Sequence, residues 1–498
     1  MDLLAAIIPD FTTGVFLFIA IGLALSFEFV NGFHDTANAV ATVIYTNTLR
    51  PVVAVIWSGL WNLIGVLTST GAVAYGIVAL LPVDLVLNVG SGAGFAMVFA
   101  LLVSAIIWNV GTWYFGLPAS SSHTLIGSIL GVGLANSLMA GHPFGTGVNW
   151  AKAQEVGMSL VLSPLIGFAV SALLLLLLKA LVKSPKLFTA PEKDKAPPVW
   201  IRGLLMLTCT GVSFAHGSND GQKGMGLMVL ILVGILPGTF ALKMDENQQD
   251  LQAIMGKVHD AQMVLVKYAT GEPVPLQEAS AKTVSAYLKA SGKPDKATYS
   301  ALAASCGEIE ATLLPLKSFS DLTETDRRAL RTEMYVTSSA LAKLVKSKAI
   351  TDPAQTSTLT AGQKQLDSVT KYIPSWVKFA VALALGLGTM IGWKRIVVTV
   401  GEKIGKSHLT YAQGASAELV AMTTIELADQ LGLPVSTTHV LSSGIAGTMA
   451  ANRSGLQAAT LRNIVLAWVL TLPVCIFLGS LLFAFGNFLV LHHFMGLK

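Results

Sequence analysis

Ten runs of apolar residues, near 12–30, 52–81, 95–115, 122–140, 156–182, 201–240, 374–393, 409–431, 436–451 and 459–490, constrain this 498-residue chain more than any other feature. About 20 apolar residues in helical form cross the roughly 30 Å of hydrocarbon in a bilayer. At that depth an unpaired backbone amide has no water to bond, so a lipid-exposed segment must be a helix or part of a closed barrel. The period-2 alternation of barrel strands is missing from these runs, which leaves helices and about ten crossings. Only 12% of the chain is charged, against roughly 25% in soluble proteins. Residues 243–371 alone hold 16 of the 33 Lys and Arg and 15 of the 28 Asp and Glu. The expected fold class is therefore an all-α polytopic membrane protein carrying one hydrophilic, mostly helical insert.

Other compositional facts remove whole function classes. The net charge of +5 is spread thinly, with no basic stripe interleaved with aromatics, so nucleic acid is not an expected partner. Cys209, Cys306 and Cys475 form no CxxC pair, and neither a disulfide framework nor a zinc site follows. The N-terminal apolar run lacks a basic leader and continues too far for a cleaved signal, so it reads as the first span.

Short cytoplasmic loops collect Lys and Arg. Arg50, the cluster Lys183, Lys186, Lys193, Lys195 and Arg202, the cluster Lys394, Arg395, Lys403 and Lys406, and the pair Arg453 and Arg462 are all satisfied by ten spans with an outside N-terminus. Loop 82–94, whose one charge is Asp84, is then outside, and so is the long insert. The expected organisation is a first membrane repeat over 1–182, a basic cytoplasmic linker over 183–200, the start of a second repeat over 201–240, the insert over 241–373, and the rest of the second repeat over 374–498.

An internal repeat underlies that division. GLPASSSHT (116–124) follows NGFHDTANA (31–39), and GLPVSTTHV (432–440) follows HGSNDGQKG (216–224). Aligning His123 with His439 also aligns Gly131 with Gly447 and Asn136 with Asn452; aligning Asp35 with Asp220 pairs Gly32 with Gly217. The two Asp-to-His separations, 88 and 219, differ by 131, close to the length of the insert. Five spans in the first copy, an odd number, predict that the second runs inverted across the membrane. Inverted repeats with broken helices and re-entrant hairpins belong to secondary transporters, whose substrate site lies at the midplane between the halves. The chain reads as a carrier and not an enzyme.

The chemistry-bearing residues sit in these motifs. Asp35 and Asp220 each lie in a polar, Gly-containing interruption of an apolar run, where a charge costs at least about 2.5–3.5 kcal/mol unless it faces a cavity, an ion or a partner. They either cap broken helices or hold a cation or proton. Asn31, Asn38 and Asn219 add amide groups suited to a small ion stripped of water. Glu28 and Glu418 are further acids within the spans, candidate proton carriers or interfacial side chains. Ser120, Ser121, Ser122 and Thr124, and Ser436, Thr437 and Thr438, follow prolines at expected helix starts, where hydroxyls and free backbone N–H groups suit a tetrahedral oxyanion. His34, His123, His216 and His439 lie in or beside the four motifs, and Lys223 is placed to pair with Asp220 or with an anion. No resident metal site is legible from spacing. An intramembrane aspartyl protease would leave the duplicated hydroxyl turns without a role.

These four motifs closely resemble the inorganic phosphate transporter (Pit) family, and most closely its bacterial low-affinity phosphate permeases, over essentially the whole chain. The resemblance implies symport of inorganic phosphate without a resident cofactor. In the bacterial branch it implies proton coupling and phosphate carried as a complex with magnesium or another divalent cation; in other branches the coupling ion is sodium. Asp35, Asn38, Asn219 and Asp220 match the family's Asn-Asp motif, and Ser120 to Ser122 and Ser436 to Thr438 match its phosphate-contacting turns. His34 stands where the family often has Asn, which favours protons at the first motif, with His34, Asn31, Glu28 and Glu418 as accessory coupling groups. The implied setting is the bacterial inner membrane, with the lipid bilayer as the chain's surroundings; assembly as a homo-oligomer is left open, as is a carrier of another oxyanion such as sulfate.

Overall fold

A computed structural model describes residues 11–80, 92–139, 141, 143–145, 148–192, 195–273, 275–289 and 293–489. Most of loop 82–94, including Asp84, and Lys193 of the basic cluster lie outside the described residues. Among those residues there is no strand, only an isolated bridge between Gly405 and Leu456. The membrane helices of the first copy are α1 (Phe11–Asp35), α2 (Ala37–Tyr45), α3 (Pro51–Thr68), α4 (Ala72–Val78), α5 (Gly92–Tyr114), α6 (Ser121–Met139) and α7 (Trp150–Leu181). The second copy begins with α8 (Val199–Ile235).

Five helices of the insert follow: α9 (Gln248–Tyr268), α10 (Gln277–Lys289), α11 (Lys296–Leu313), α12 (Glu324–Lys346) and α13 (Pro353–Thr370). Their starts are written in the sequence. Asn247, Asp295, Thr323 and Asp352 cap α9, α11, α12 and α13 by accepting backbone N–H bonds, and Pro353 takes the first position of α13. Leu251, Leu302, Ile309, Met334, Leu341 and Leu366 are buried in a core of their own, and residues 232–372, together with the described residues 11–14, form one of the chain's two compact units.

The membrane helices form the other unit, completed by α14 (Ser375–Met390), α15 (Lys394–Glu402), α16 (Tyr411–Gln430), α17 (Thr437–Ala451) and α18 (Ala458–Leu489). The described parts of all ten apolar runs fall mostly on helices, but among the described residues six helices are long and apolar enough to cross a bilayer, counting α1 with α2 as one, or seven if the bent pair α13 and Ser375–Met390 makes one span. The runs at 122–140, 374–393, 409–431 and 436–451 fall on α6, α14, α16 and α17. At 1.5 Å per residue, the 15 residues of α17 reach about 22 Å, short of the hydrocarbon thickness. α6 and α17 are buried along most of their length, so their hydroxyls and glycines meet protein instead of lipid and the helices need not span.

The two copies are interleaved. α6 of the first packs on α18 of the second, while α17 of the second packs on α7 of the first. Glycine makes both crossings: a Cβ on Gly131 would stand 2.1 Å from the carbonyl oxygen of Ile476, and one on Gly447 would stand 2.1 Å from that of Phe168. The same matching appears around the aspartates, where Gly32 lies against Leu385 and Gly217 against Asn62.

One expectation is corrected here. Beside Asp35 the helix is interrupted only at Thr36, whose backbone keeps helical angles (φ −51°, ψ −37°) and whose hydroxyl donates to the carbonyls of Gly32 (2.6 Å) and Thr389 (3.0 Å), so α1 and α2 continue as one span. At Asp220 there is no interruption: α8 runs unbroken for 37 residues. The glycines near Asp220 serve close packing instead of a break, with Gly217 against Asn62, Gly221 against Val66 and Gly226 against Ala74.

Candidate substrate site

Three local structures deliver the site. α1 ends on His34 and Asp35. α8 presents His216, Asn219, Asp220 and Lys223 on one face, since residues three, four and seven apart share a side of a helix. α6 and α17 begin at the two hydroxyl turns, where Ser120 accepts from the His123 amide (3.2 Å) and Ser436 from the His439 amide (3.1 Å). Those caps settle the register of both turns and leave Ser121, Ser122, Thr437 and Thr438 free to aim elsewhere.

They aim at one place. The Thr438 hydroxyl donates to Asp35 Oδ1 at 2.7 Å and that of Ser121 to Asp35 Oδ2 at 3.2 Å. His34 Nδ1 lies 3.0 Å from the same carboxylate and its Nε2 lies 3.1 Å from Thr112 Oγ1. Asn38 Nδ2 donates to Thr437 (3.1 Å) and Thr438 (3.0 Å). Lys223 Nζ bridges Asp220 Oδ2 at 2.7 Å and Ser122 Oγ at 2.6 Å, and Ser122 passes the chain on to the carbonyl of Val435 at 2.7 Å. Asn219 holds the second turn by its backbone, donating to Leu433 O and accepting from the Val435 amide. The imidazoles of His123 and His439 lie 4.6 Å apart, centroid to centroid, which seals the two helix starts against each other.

Between the carboxylates stands His216. Its Nδ1 lies 2.7 Å from Asn62 Oδ1, which accepts the proton that nitrogen carries and so holds the ring with Nε2 toward the carboxylates. Nε2 lies 3.9 Å from Asp35 Oδ2 and 3.6 Å from Asp220 Oδ2. The three ligand atoms all fall within 4.8 Å of one another. His216 Nε2, Asp220 Oδ1 and Asn38 Oδ1 are buried without a hydrogen-bond partner. Buried acceptors without donors are costly, and the cluster of Asp35, His216 and Asp220 is one whose ligand atoms could hold a metal ion.

Not every expected residue joins this cluster. Thr124 returns its hydroxyl to the carbonyl of Ser120, and Ser120 and Ser436 are spent on capping. Asn31 donates to Glu28 at 3.4 Å, and Glu28 packs against Gly224, next to Lys223 on α8. Glu418 accepts from the hydroxyls of Thr42 and Thr208. Four participants escaped the sequence reading: Asn62 and Thr112, and the pair Gln222 and Ser218, which bind the buried carboxylate of Asp429. An amide in the middle of the apolar run 52–81 was the available signal for Asn62.

The phosphate transporter family's model matches residues 31–479. The chain belongs to the phosphate transporter family. It is 42% identical over 491 residues to the low-affinity inorganic phosphate transporter PitB of Escherichia coli K12, covering 95% of this chain and 96% of that one. To the probable low-affinity inorganic phosphate transporter of Bacillus subtilis it is 27% identical, covering 93% and 95%. Among solved structures it resembles "The sodium-dependent phosphate transporter" with a TM-score of 0.50 and 20% identity, covering 94% of this chain and 98% of that one, a likeness of fold. Members of the family are membrane transporters and not enzymes, which disposes of the protease reading. Six apolar spanning helices and bacterial relatives make this family member a multi-pass integral protein of the inner membrane.

Proposed function

We propose that the chain takes up inorganic phosphate by symport, driven by protons, with the phosphate entering as a neutral complex with a divalent cation. The observation that carries this reading is the convergence of the hydroxyl turns of both copies on Asp35, through Ser121 and Thr438. The starts of α6 and α17 add backbone N–H groups and the positive ends of two helix dipoles, which attract an oxyanion. An oxyanion bound there lies beside His216 Nε2 and the carboxylates of Asp35 and Asp220, which suit the divalent cation. The cation is cargo, and its two charges balance those of hydrogen phosphate.

His34, in contact with Asp35 on one side and Thr112 on the other, gives protons a route to the site through groups that both donate and accept. Interleaved copies that run inverted across the membrane open this site to each side in turn. Glu28 and Glu418 are accessory proton groups in this scheme.

The test is uptake of labelled phosphate into proteoliposomes with imposed gradients. Uptake rises as external pH falls at fixed total phosphate, collapses with a protonophore, needs magnesium or a similar cation, and proceeds without sodium. An absolute need for sodium would replace the proton with sodium as coupling ion, and equal competition by sulfate and arsenate would widen the substrate to oxyanions in general.

A further inference from the structure

Both halves of the site pair an aspartate with a hydroxyl turn, but they differ in the residue three places after the aspartate. Three residues after Asp35 comes Asn38, and three residues after its counterpart Asp220 comes Lys223. One residue before His439 stands Thr438, and one before its counterpart His123 stands Ser122. The contact between these positions is kept in both halves: Asn38 Nδ2 donates to Thr438 at 3.0 Å, and Lys223 Nζ donates to Ser122 at 2.6 Å. The charge is not kept. Asn38 is neutral and leaves Oδ1 buried and unpartnered, an acceptor beside Asp35 and its two hydroxyls. Lys223 brings an ammonium to Asp220, with its side chain 0% exposed, and has no acceptor to offer.

We propose, resting on the transporter reading above, that Lys223 is a tethered cation. It fills in the second half the position that a mobile cation takes in the first, so the carrier needs one fewer coupling cation per phosphate than it would with an amide at both positions. An ammonium is a compact point charge like a small monovalent cation, and it satisfies the same carboxylate and hydroxyl oxygens. Fixed to α8, it cannot dissociate to either side of the membrane and so carries no gradient energy. It still supplies the charge without which Asp220 would be a buried, unpaired carboxylate. The first half retains the acceptors that a mobile ion needs: the Asp35 carboxylate, Asn38 Oδ1 and the lone pairs of Ser121 and Thr438.

Two substitutions and sodium as the probe ion test this in full-length protein. Lys223→Asn copies the first half and opens an empty cation position. Its phosphate uptake in choline medium falls about thirtyfold or more, the effect of removing one partner of a buried charge pair, and sodium restores most of it, whereas the parent ignores sodium. Lys223→Met fills the space without charge or acceptor, so its uptake falls as far and sodium does not rescue it.

Sodium also raises the melting temperature of detergent-purified Lys223→Asn and leaves that of the parent unchanged, a readout that needs no transport. A folded Lys223→Asn that shows neither sodium-dependent uptake nor sodium-dependent stabilisation overturns the proposal. Near-parental uptake by Lys223→Met overturns it as well, and this variant decides the matter where Lys223→Asn does not fold. A parent that takes up no phosphate, beside a Lys223→Asn stabilised by sodium, would sink the transport reading and leave the tethered cation standing.

Discussion

Replacing Thr438 with valine keeps the shape and β-branching of the side chain and removes one hydroxyl. That hydroxyl is the shortest hydroxyl donor to Asp35, at 2.7 Å against 3.2 Å for Ser121, and it also accepts from Asn38. A hydrogen bond to a charged group contributes about 1.5–3 kcal/mol. Asn38 keeps its second acceptor, Thr437, so its own loss is small. The expected cost is therefore about 2 kcal/mol, or roughly thirtyfold in uptake at low phosphate. Thr437→Val, one residue earlier in the same turn, removes only a neutral acceptor at 3.1 Å, about 1 kcal/mol or roughly fivefold. Initial rates of labelled phosphate uptake in proteoliposomes, at matched protein content and at phosphate well below saturation, give both ratios. The reasoning is refuted if Thr437→Val is as damaging as Thr438→Val, because direct contact with the anion and not support of Asp35 would then rank the two hydroxyls.

Asp35→Asn and Asp220→Asn each abolish uptake while expression and membrane insertion stay normal, and near-normal uptake in either returns that aspartate to a structural role. In a parent lacking Cys209, Cys306 and Cys475, single cysteines at positions 121 and 437 are both shielded by phosphate from a small thiol reagent; labelling indifferent to phosphate at both would defeat a shared site. The insert carries its own pH dependence. Burial, then the neighbouring Glu308, pushes the Glu333 carboxyl from 4.5 up to about 8. The folded insert thus binds more protons than the unfolded chain between those values, so the contribution of Glu333 to stability is complete below pH 4.5 and is lost as pH rises toward 8. Limited proteolysis of the purified protein cuts the insert faster at pH 8.5 than at pH 6, and Glu333→Gln removes most of that difference; an unchanged pH dependence in the variant assigns it to other groups.

Much of this molecule is set by local sequence and so is legible in the sequence alone. A bilayer offers the backbone no hydrogen bonds, so an apolar run of sufficient length becomes a helix whatever its neighbours do, and the described parts of all ten runs mostly did. The hydroxyl turns were equally local: a proline, a serine cap and a histidine amide three residues on are set by covalent spacing. Asp35 and Asp220, and the hydroxyls of the two turns, were readable as candidates because the repeat prints them twice.

What the pattern alone could not decide was how deep each helix sits and what each polar group meets. α17 and Trp150–Leu181 both looked like spans, yet one is buried in protein and the other carries many exposed apolar residues along its length. The glycines around Asp220 suggested a break and turned out to be approach points, since a missing Cβ permits either a bend or a close crossing and only the partner helix selects between them. Glu418 and Asp35 were both intramembrane acids by sequence. Tertiary packing put hydroxyls of α2 and α8 around the first and the turns of both copies around the second. The reason is physical: helix formation in a bilayer is enforced by hydrogen bonds within a segment, whereas a binding site is made by side chains hundreds of residues apart, whose meeting depends on which helix faces pack closely enough to exclude lipid.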